Sequence, residues 1–217
     1  MNLTVAVVAK ECLPGRVKTR LTPPLTSAEA AHLAQLSLSM TLETVRRLPA
    51  RRRLLVMDGR PAARDAEEFN VVPQVPGPLD ERLAAIFDFV SGPLLLVGMD
   101  TPQLSHEALS PLYLDWASAA PRHGAWLGPA TDGGFWALAV REPRGDLIRG
   151  VPMSTQTTGA VQHSRLCAAG LGPGLLSPLR DMDRFQDAVD IARCLPGTAF
   201  ATAVEASAAR LRAGRTP

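Results

Sequence analysis

Residues 3–21 read Leu3-Thr4-Val5-Ala6-Val7-Val8-Ala9-Lys10-Glu11-Cys12-Leu13-Pro14-Gly15-Arg16-Val17-Lys18-Thr19-Arg20-Leu21. The apolar run from Leu3 to Ala9 predicts a buried first strand. It empties into a turn marked by Pro14-Gly15 that carries Lys10, Arg16, Lys18 and Arg20. In an open α/β sheet, ligands bind outside the carboxyl ends of the strands, and cations gathered there suit phosphates. A solvated basic loop is the plainer alternative for one loop taken alone. The choice turns on the rest of the chain.

Downstream, strands and helices alternate. Thr26-Ser27-Ala28-Glu29 has the form of a capping box, and Leu33, Leu36, Met40, Val45 and Leu48 continue at helical spacing to Pro49. Strands are expected at Arg53–Met57, Val71–Val75, Leu94–Val97, Ala125–Leu127 and Gly134–Val140, with a remnant at Leu175-Leu176. Helices are expected at Ala62–Glu68, Leu79–Val90, Ser105–Ala119, Thr157–Ala169, Phe185–Cys194 and Phe200–Arg212. The Leu94–Val97 run is apolar on both faces, as a central parallel strand covered by helices must be. This alternation predicts one α/β domain over residues 1–212, a three-layer α/β/α sandwich with a mostly parallel, mixed sheet. Residues 213–217 are expected to fray.

Bulk composition narrows the partners. The chain has 217 residues, 46% hydrophobic and 20% charged, which suits one globular core. A formal net charge of +2 is too small for general nucleic-acid binding, so any cationic function is local. No apolar run approaches a membrane span, and Met1-Asn2-Leu3-Thr4 opens no signal peptide, so a cytoplasmic location is expected. Cys12, Cys167 and Cys194 are scattered, without zinc or disulfide spacing. His32, His106, His123 and His163 are isolated and are expected in surface or capping roles.

Acidic residues answer the cationic loop. Asp100 follows the central strand within Gly98-Met99-Asp100-Thr101-Pro102, where a carboxylate can hold a hard divalent cation. Asp181 and Asp183 flank Met182, so in extended chain they face one side and repel unless a cation lies near. Each could equally be a turn or capping residue. Together with the cations they supply what transfer from a nucleotide requires: charge against phosphates, a metal and an acceptor pocket. Asp132 could orient an acceptor hydroxyl, and Gly133-Gly134 would allow close backbone approach to a ligand or simply a tight turn. Of Phe135 and Trp136, alternation predicts that one faces the pocket. Arg82, in Leu79-Asp80-Glu81-Arg82 at a helix start, could reach a substrate or lie solvated.

Lys-x-x-x-Pro-Gly-Arg-Val-Lys-Thr-Arg-Leu, with Gly98 to Pro102, Gly128 to Phe135 and Asp181 to Asp183 in order behind it, resembles a bacterial family of uncharacterised proteins, DUF2064. That family lies in the nucleotide-diphospho-sugar transferase superfamily, of GT-A glycosyltransferase-like fold. More distantly the chain resembles guanylyltransferases that activate phospholactate or phosphoenolpyruvate. The resemblance implies Mg²⁺ or Mn²⁺ at Asp100, Asp181 and Asp183, and a nucleotide held by Ala9, Lys10, Gly15, Arg16, Lys18, Thr19 and Arg20. It implies catalytic roles for Lys18, Arg20 and Asp100, and substrate contacts at Arg82, Asp132, Gly133 and Gly134. The implied partners are a nucleoside triphosphate or nucleotide sugar and a small-molecule acceptor, with a homodimer as a candidate assembly. Two departures touch the acceptor: Gly77-Pro78-Leu79-Asp80-Glu81-Arg82 replaces the usual Gly-Asp-Leu-Gly-Glu-Arg, and Phe135-Trp136 replaces a commonly Tyr-containing pair.

Three readings compete. In nucleotidyl transfer, a phosphorylated or hydroxylated acceptor attacks the α-phosphorus of a nucleoside triphosphate and pyrophosphate leaves. In glycosyl transfer, a sugar leaves its nucleotide diphosphate. A nucleotide-binding module without turnover is the third. The density of cations in the first loop suits the charge of a triphosphate, which favours the first.

Overall fold

The computed structural model describes residues 2–213. Strands β1 (Thr4–Lys10), β2 (Arg52–Asp58), β3 (Asn70–Pro73), β4 (Leu94–Gly98), β5 (Ala125–Pro129), β6 (Phe135–Val140) and β7 (Gly174–Leu175) form one sheet in the order β3-β2-β1-β4-β6-β5-β7. β1 pairs in parallel with β2 and β4, β2 with β3, and β5 with β7. Only β6 runs against its neighbours β4 and β5. The reversal has a local cause: five residues separate β5 from β6, enough for an antiparallel turn and too few for a crossover.

Helices cover both faces. α1 (Ser27–Arg47) and α4 (His106–Ala117) bury Leu38, Leu42, Leu109 and Leu112 against the side of β1 carrying Val5 and Val7. α3 (Leu79–Phe89) and α5 (Thr158–Ala168) bury Phe87 and Leu166 against the side carrying Ala6, Leu96 and Leu138. This is the expected three-layer sandwich. The short α2 (Ala63–Ala66) spans less than the expected Ala62–Glu68. The last helices, α6 (Phe185–Arg193) and α7 (Ala199–Ala213), pack on α1 through a separate cluster with Leu21, Leu33, Met182 and Phe200. Ala213, expected to begin a frayed tail, closes α7, and residues 214–217 of that expectation lie outside the described residues. Among the described residues no helix is long and apolar enough to cross a membrane.

Capping fixes where helices begin. Thr26 Oγ1 accepts from Glu29 N–H at 3.2 Å while Thr26 N–H donates to Glu29 Oε2 at 2.8 Å, the reciprocal box predicted for α1. Arg210 of α7 donates to the same Glu29 carboxylate at 2.8 and 2.9 Å. One side chain thus caps α1 and anchors α7.

Candidate active site

The carboxyl ends of β1, β2 and β4 deliver Lys10, Asp58 and the Met99-Asp100 turn to one rim. There a cleft of about 390 Å³ opens between Leu79 and Arg82 of α3 on one side and Asp132, Phe135 and Thr155 on the other, with Asp100 and Asp181 on its floor. A second chamber of about 290 Å³ adjoins it, lined by Arg16, Lys18, Thr19, Arg20 and Asp183, and shares Lys10, Met99 and Asp100 with the first.

Cations of the first loop and the strand-end carboxylates meet directly. Lys18 holds a left-handed backbone (φ 48°) at the start of the 3₁₀ turn Thr19–Leu21, which folds its side chain inward. Its Nζ lies 2.7 Å from Asp100 Oδ2, and the side chain is only 10% exposed. Arg20 donates to Asp183 Oδ2 at 2.9 Å. Lys10 and Arg82 both approach Asp58, at 3.9 and 3.1 Å. Leu21, buried behind the loop, fixes the turn to the cluster under α6 and α7.

The acidic segment is tied to the central strand by Met182 N–H, which donates to the Asp100 carbonyl at 2.9 Å. Met182 is fully buried, so Asp181 and Asp183 turn the other way, as extended chain requires. They open into different chambers, Asp181 into the cleft and Asp183 beside Arg20. Burial is the main cause that pushes the Asp181 carboxyl up to about 7, helped by the charges of Asp100 and Asp132. Asp181 Oδ1 and Asp100 Oδ1 are buried without a hydrogen-bond partner.

The three carboxylates expected to hold a metal are divided here, Asp100 and Asp181 at the cleft and Asp183 beside Arg20. Among the described residues no group of three or more His, Cys, Asp or Glu side chains gathers as metal ligands would. Asp183 is drawn to Arg20 instead. What does fit a hard divalent cation is the pair Asp100 and Asp181, since each presents a buried oxygen in need of a positive partner. Lys18 answers one of those charges here.

The acceptor side departs from expectation in detail. Gly133 has φ 93°, and a Cβ there would collide with the carbonyl of Gln156. Gly159 likewise leaves room for the Gly134 carbonyl, and its N–H donates to the Gly133 carbonyl at 2.8 Å. The close approach therefore serves the packing of the 132–135 turn on the start of α5, while Gly134 lines the cleft. Asp132 Oδ1 accepts from Gly134 N–H at 2.8 Å. Phe135 and Trp136 turn to opposite faces of the sheet: Phe135 packs with the cluster on the α3 side, while the buried Trp136 ring packs with the other and donates from Nε1 to the Ser177 carbonyl at 3.2 Å. Ala9 lies at the cleft with Lys10, whereas Gly15 lines neither chamber and shapes the turn with φ 75°.

Three features escaped the sequence reading. Asp58 terminates β2 as Asp100 terminates β4, a parallel that was visible. Gln74, just past β3, donates from Nε2 to the carbonyls of Ala9 and Val56 at 2.8 and 3.0 Å and closes the end of the cleft. Ser154, Thr155 and Thr158 of the hydroxyl-rich run 154–158 line its far side.

Known proteins share this architecture. The chain is similar to a structure from Desulfovibrio desulfuricans G20 provisionally named a nucleotide-diphospho-sugar transferase, at 21% identity over 98% of each chain with a TM-score of 0.83. It is similar to CMP:2-keto-3-deoxy-manno-octonic acid synthetase complexed with CTP, at 10% identity over 90% of this chain and 98% of that one, TM-score 0.55. It is also similar to Rv0371c from Mycobacterium tuberculosis H37Rv in complex with manganese, at 20% identity over 88% and 97% of the two chains, TM-score 0.53. At these identities the likeness is one of fold. No curated protein matches the sequence. A family profile, in contrast, matches residues 41–155, more than half of the chain, and on that ground the chain belongs to the bacterial family described as uncharacterized protein conserved in bacteria, DUF2064.

Proposed function

We propose that this protein is a divalent-cation-dependent nucleotidyltransferase acting on a small acceptor. One observation carries the reading: Lys18 and Arg20 lie against Asp100 and Asp183 in a chamber that opens onto the cleft. A polyphosphate bridged by a metal ion offers each partner a replacement, phosphate oxygens for the cations and a cation for the carboxylates. The neighbours complexed with CTP and with manganese, though related by fold alone, agree with it.

In this reading Arg16, Lys18, Thr19 and Arg20 receive the phosphates, and Asp100 and Asp181 hold Mg²⁺ or Mn²⁺. The metal supplies charge neutralisation on the triphosphate. An acceptor oxygen, placed on the Asp132 side of the cleft, forms a bond to the α-phosphorus, and where it is a hydroxyl its proton passes to water. The bond from that phosphorus to the β-bridging oxygen breaks, and pyrophosphate departs with the electron pair. Lys18 and Arg20 stabilise the charge that builds on the leaving group, where preorganised cations contribute most.

A glycosyltransferase is the second reading, favoured by the name given to the Desulfovibrio structure. Incubation with Mg²⁺, a panel of nucleoside triphosphates and nucleotide sugars, and mixed acceptors separates the two by leaving group. Metal-dependent pyrophosphate release is expected. Nucleoside diphosphate released from a nucleotide sugar would replace the first reading with the second, and binding without product would leave a silent module.

A further inference from the structure

Opposite α3, the cleft is walled by the β5–β6 turn, the first residues of β6 and the segment leading into α5. The residues there include Asp132, Phe135, Met153, Ser154 and Thr155. Among the described residues that line this wall there is no Lys, Arg or His, and the cleft's cations Lys10 and Arg82 are drawn to Asp58 at the ends of β1 and β2.

The start of a helix can hold an anion without any cationic side chain, but at the start of α5 three N–H groups already have partners. Thr157 N–H donates to Thr155 Oγ1 at 3.3 Å. Thr158 N–H donates to the Thr155 carbonyl at 3.2 Å, and Gly159 N–H to the Gly133 carbonyl at 2.8 Å. Thr155 Oγ1 is also within 3.1 Å of the Thr157 and Thr158 hydroxyls. The N–H groups of Thr157, Thr158 and Gly159 are thus engaged by the protein itself.

What this wall offers is acceptor capacity and apolar surface. Asp132 is exposed, and only its Oδ1 is engaged, by Gly134 N–H. An ionised carboxylate accepts from hydroxyl or ammonium donors and repels phosphate. Phe135 presents a ring on the same wall, a surface suited to the C–H face of a small polyol.

We propose that the acceptor subsite selects a small polyol or amino alcohol carrying neither phosphate nor carboxylate, with Asp132 as its specificity-determining residue. This deepens the transferase reading and rests on it for the name acceptor, while the binding preference stands on the wall alone.

The test is ligand-observed saturation-transfer NMR on the full chain with Mg²⁺ and excess pyrophosphate, the latter to fill the cationic loop. Three matched pairs are titrated: glucose and glucose 6-phosphate, glycerol and glycerol 3-phosphate, ethanolamine and phosphoethanolamine. In at least one pair the unphosphorylated member is expected to bind at least tenfold more tightly. Asp132→Asn, which keeps an oxygen for Gly134 N–H and removes the charge, is expected to shrink that ratio at least fivefold. Tighter binding of the phosphorylated members, a ratio unchanged in the variant, or no binding by any unphosphorylated member would overturn the proposal. Calorimetric titration of pyrophosphate into the same sample reports on the phosphate chamber separately, so failure of the transferase reading is distinguishable from failure of this one.

Discussion

Lys18 answers a charge that the fold would otherwise leave uncompensated. Its left-handed backbone directs the ammonium onto Asp100, whose other carboxylate oxygen is buried without a partner. Removing one member of such a pair leaves a desolvated charge, at a cost of about 1–3 kcal/mol. Lys18→Met is therefore expected to lower the free energy of unfolding in urea by that amount. Asp100→Asn on top of it should recover part of the loss, because the orphaned charge has gone. A double variant no more stable than Lys18→Met would show that the pair is not coupled. Lys18→Met and Asp100→Asn, each made alone, should lose metal-dependent pyrophosphate release. A smaller device of the same kind lies in α4, where Pro111 cannot donate to the Glu107 carbonyl and the Ser110 hydroxyl does so at 2.9 Å.

At the scale of elements, the polar contacts that hold α3 to the 145–150 connection are acid-sensitive. Arg149 and the Gly145 N–H donate to the Asp88 carboxylate at 2.8 and 2.6 Å and hold its carboxyl below the ordinary 3.8. A depressed folded-state value means that the native state binds its proton later than the unfolded chain. The stabilisation is therefore complete above pH 4 or so and is lost as pH falls through the folded-state value. Asp88→Asn should unfold more readily than the parent at pH 7 in urea, and the two curves should converge in acid. A gap that stays constant down to pH 2 would assign the effect to packing. Thr26→Ala should cost α1 about 1 kcal/mol through loss of its cap, read as a lower urea midpoint with an unchanged slope. Elements of this kind were legible in the sequence because their signals are local: the capping box of α1, the apolar run of β4, the Pro and Gly breaks between them. The insertion of β6 between β4 and β5 was not, since strand order depends on pairing between Leu94–Val97 and Ala137–Val140, far apart in the chain. Asp100, Lys18 and Asp181 could be picked out by residue type and position. That Asp183 would turn to Arg20, 163 residues away, could not.

Across the whole molecule, the C-terminal helices brace the candidate site. Leu21 ends the 3₁₀ turn that positions Lys18 and Arg20, and Met182 separates Asp181 from Asp183. Both side chains are fully buried, and both belong to the cluster that α6 and α7 complete against α1. The cationic loop and the acidic pair are thus both seated on this support, while Val17 ties the loop as well to the cluster on one face of the sheet. Phe200 of α7 is fully buried in that support and lines neither chamber of the site. Phe200→Ala is expected to cost about 3–5 kcal/mol of stability and also to weaken Mg²⁺-dependent binding of nucleoside triphosphate several-fold in the molecules that remain folded. Leu112→Ala, from the cluster between α4 and the sheet, removes comparable burial without touching the support. It should cost about 2–5 kcal/mol and leave binding by the folded fraction unchanged. Calorimetric titration of both variants, at a temperature where each is folded by circular dichroism, compares them directly. Equal loss of affinity in the two would mean that binding tracks global stability and that α6 and α7 have no particular hold on the loop. Loss confined to Phe200→Ala would tie nucleotide binding to helices that never reach the cleft.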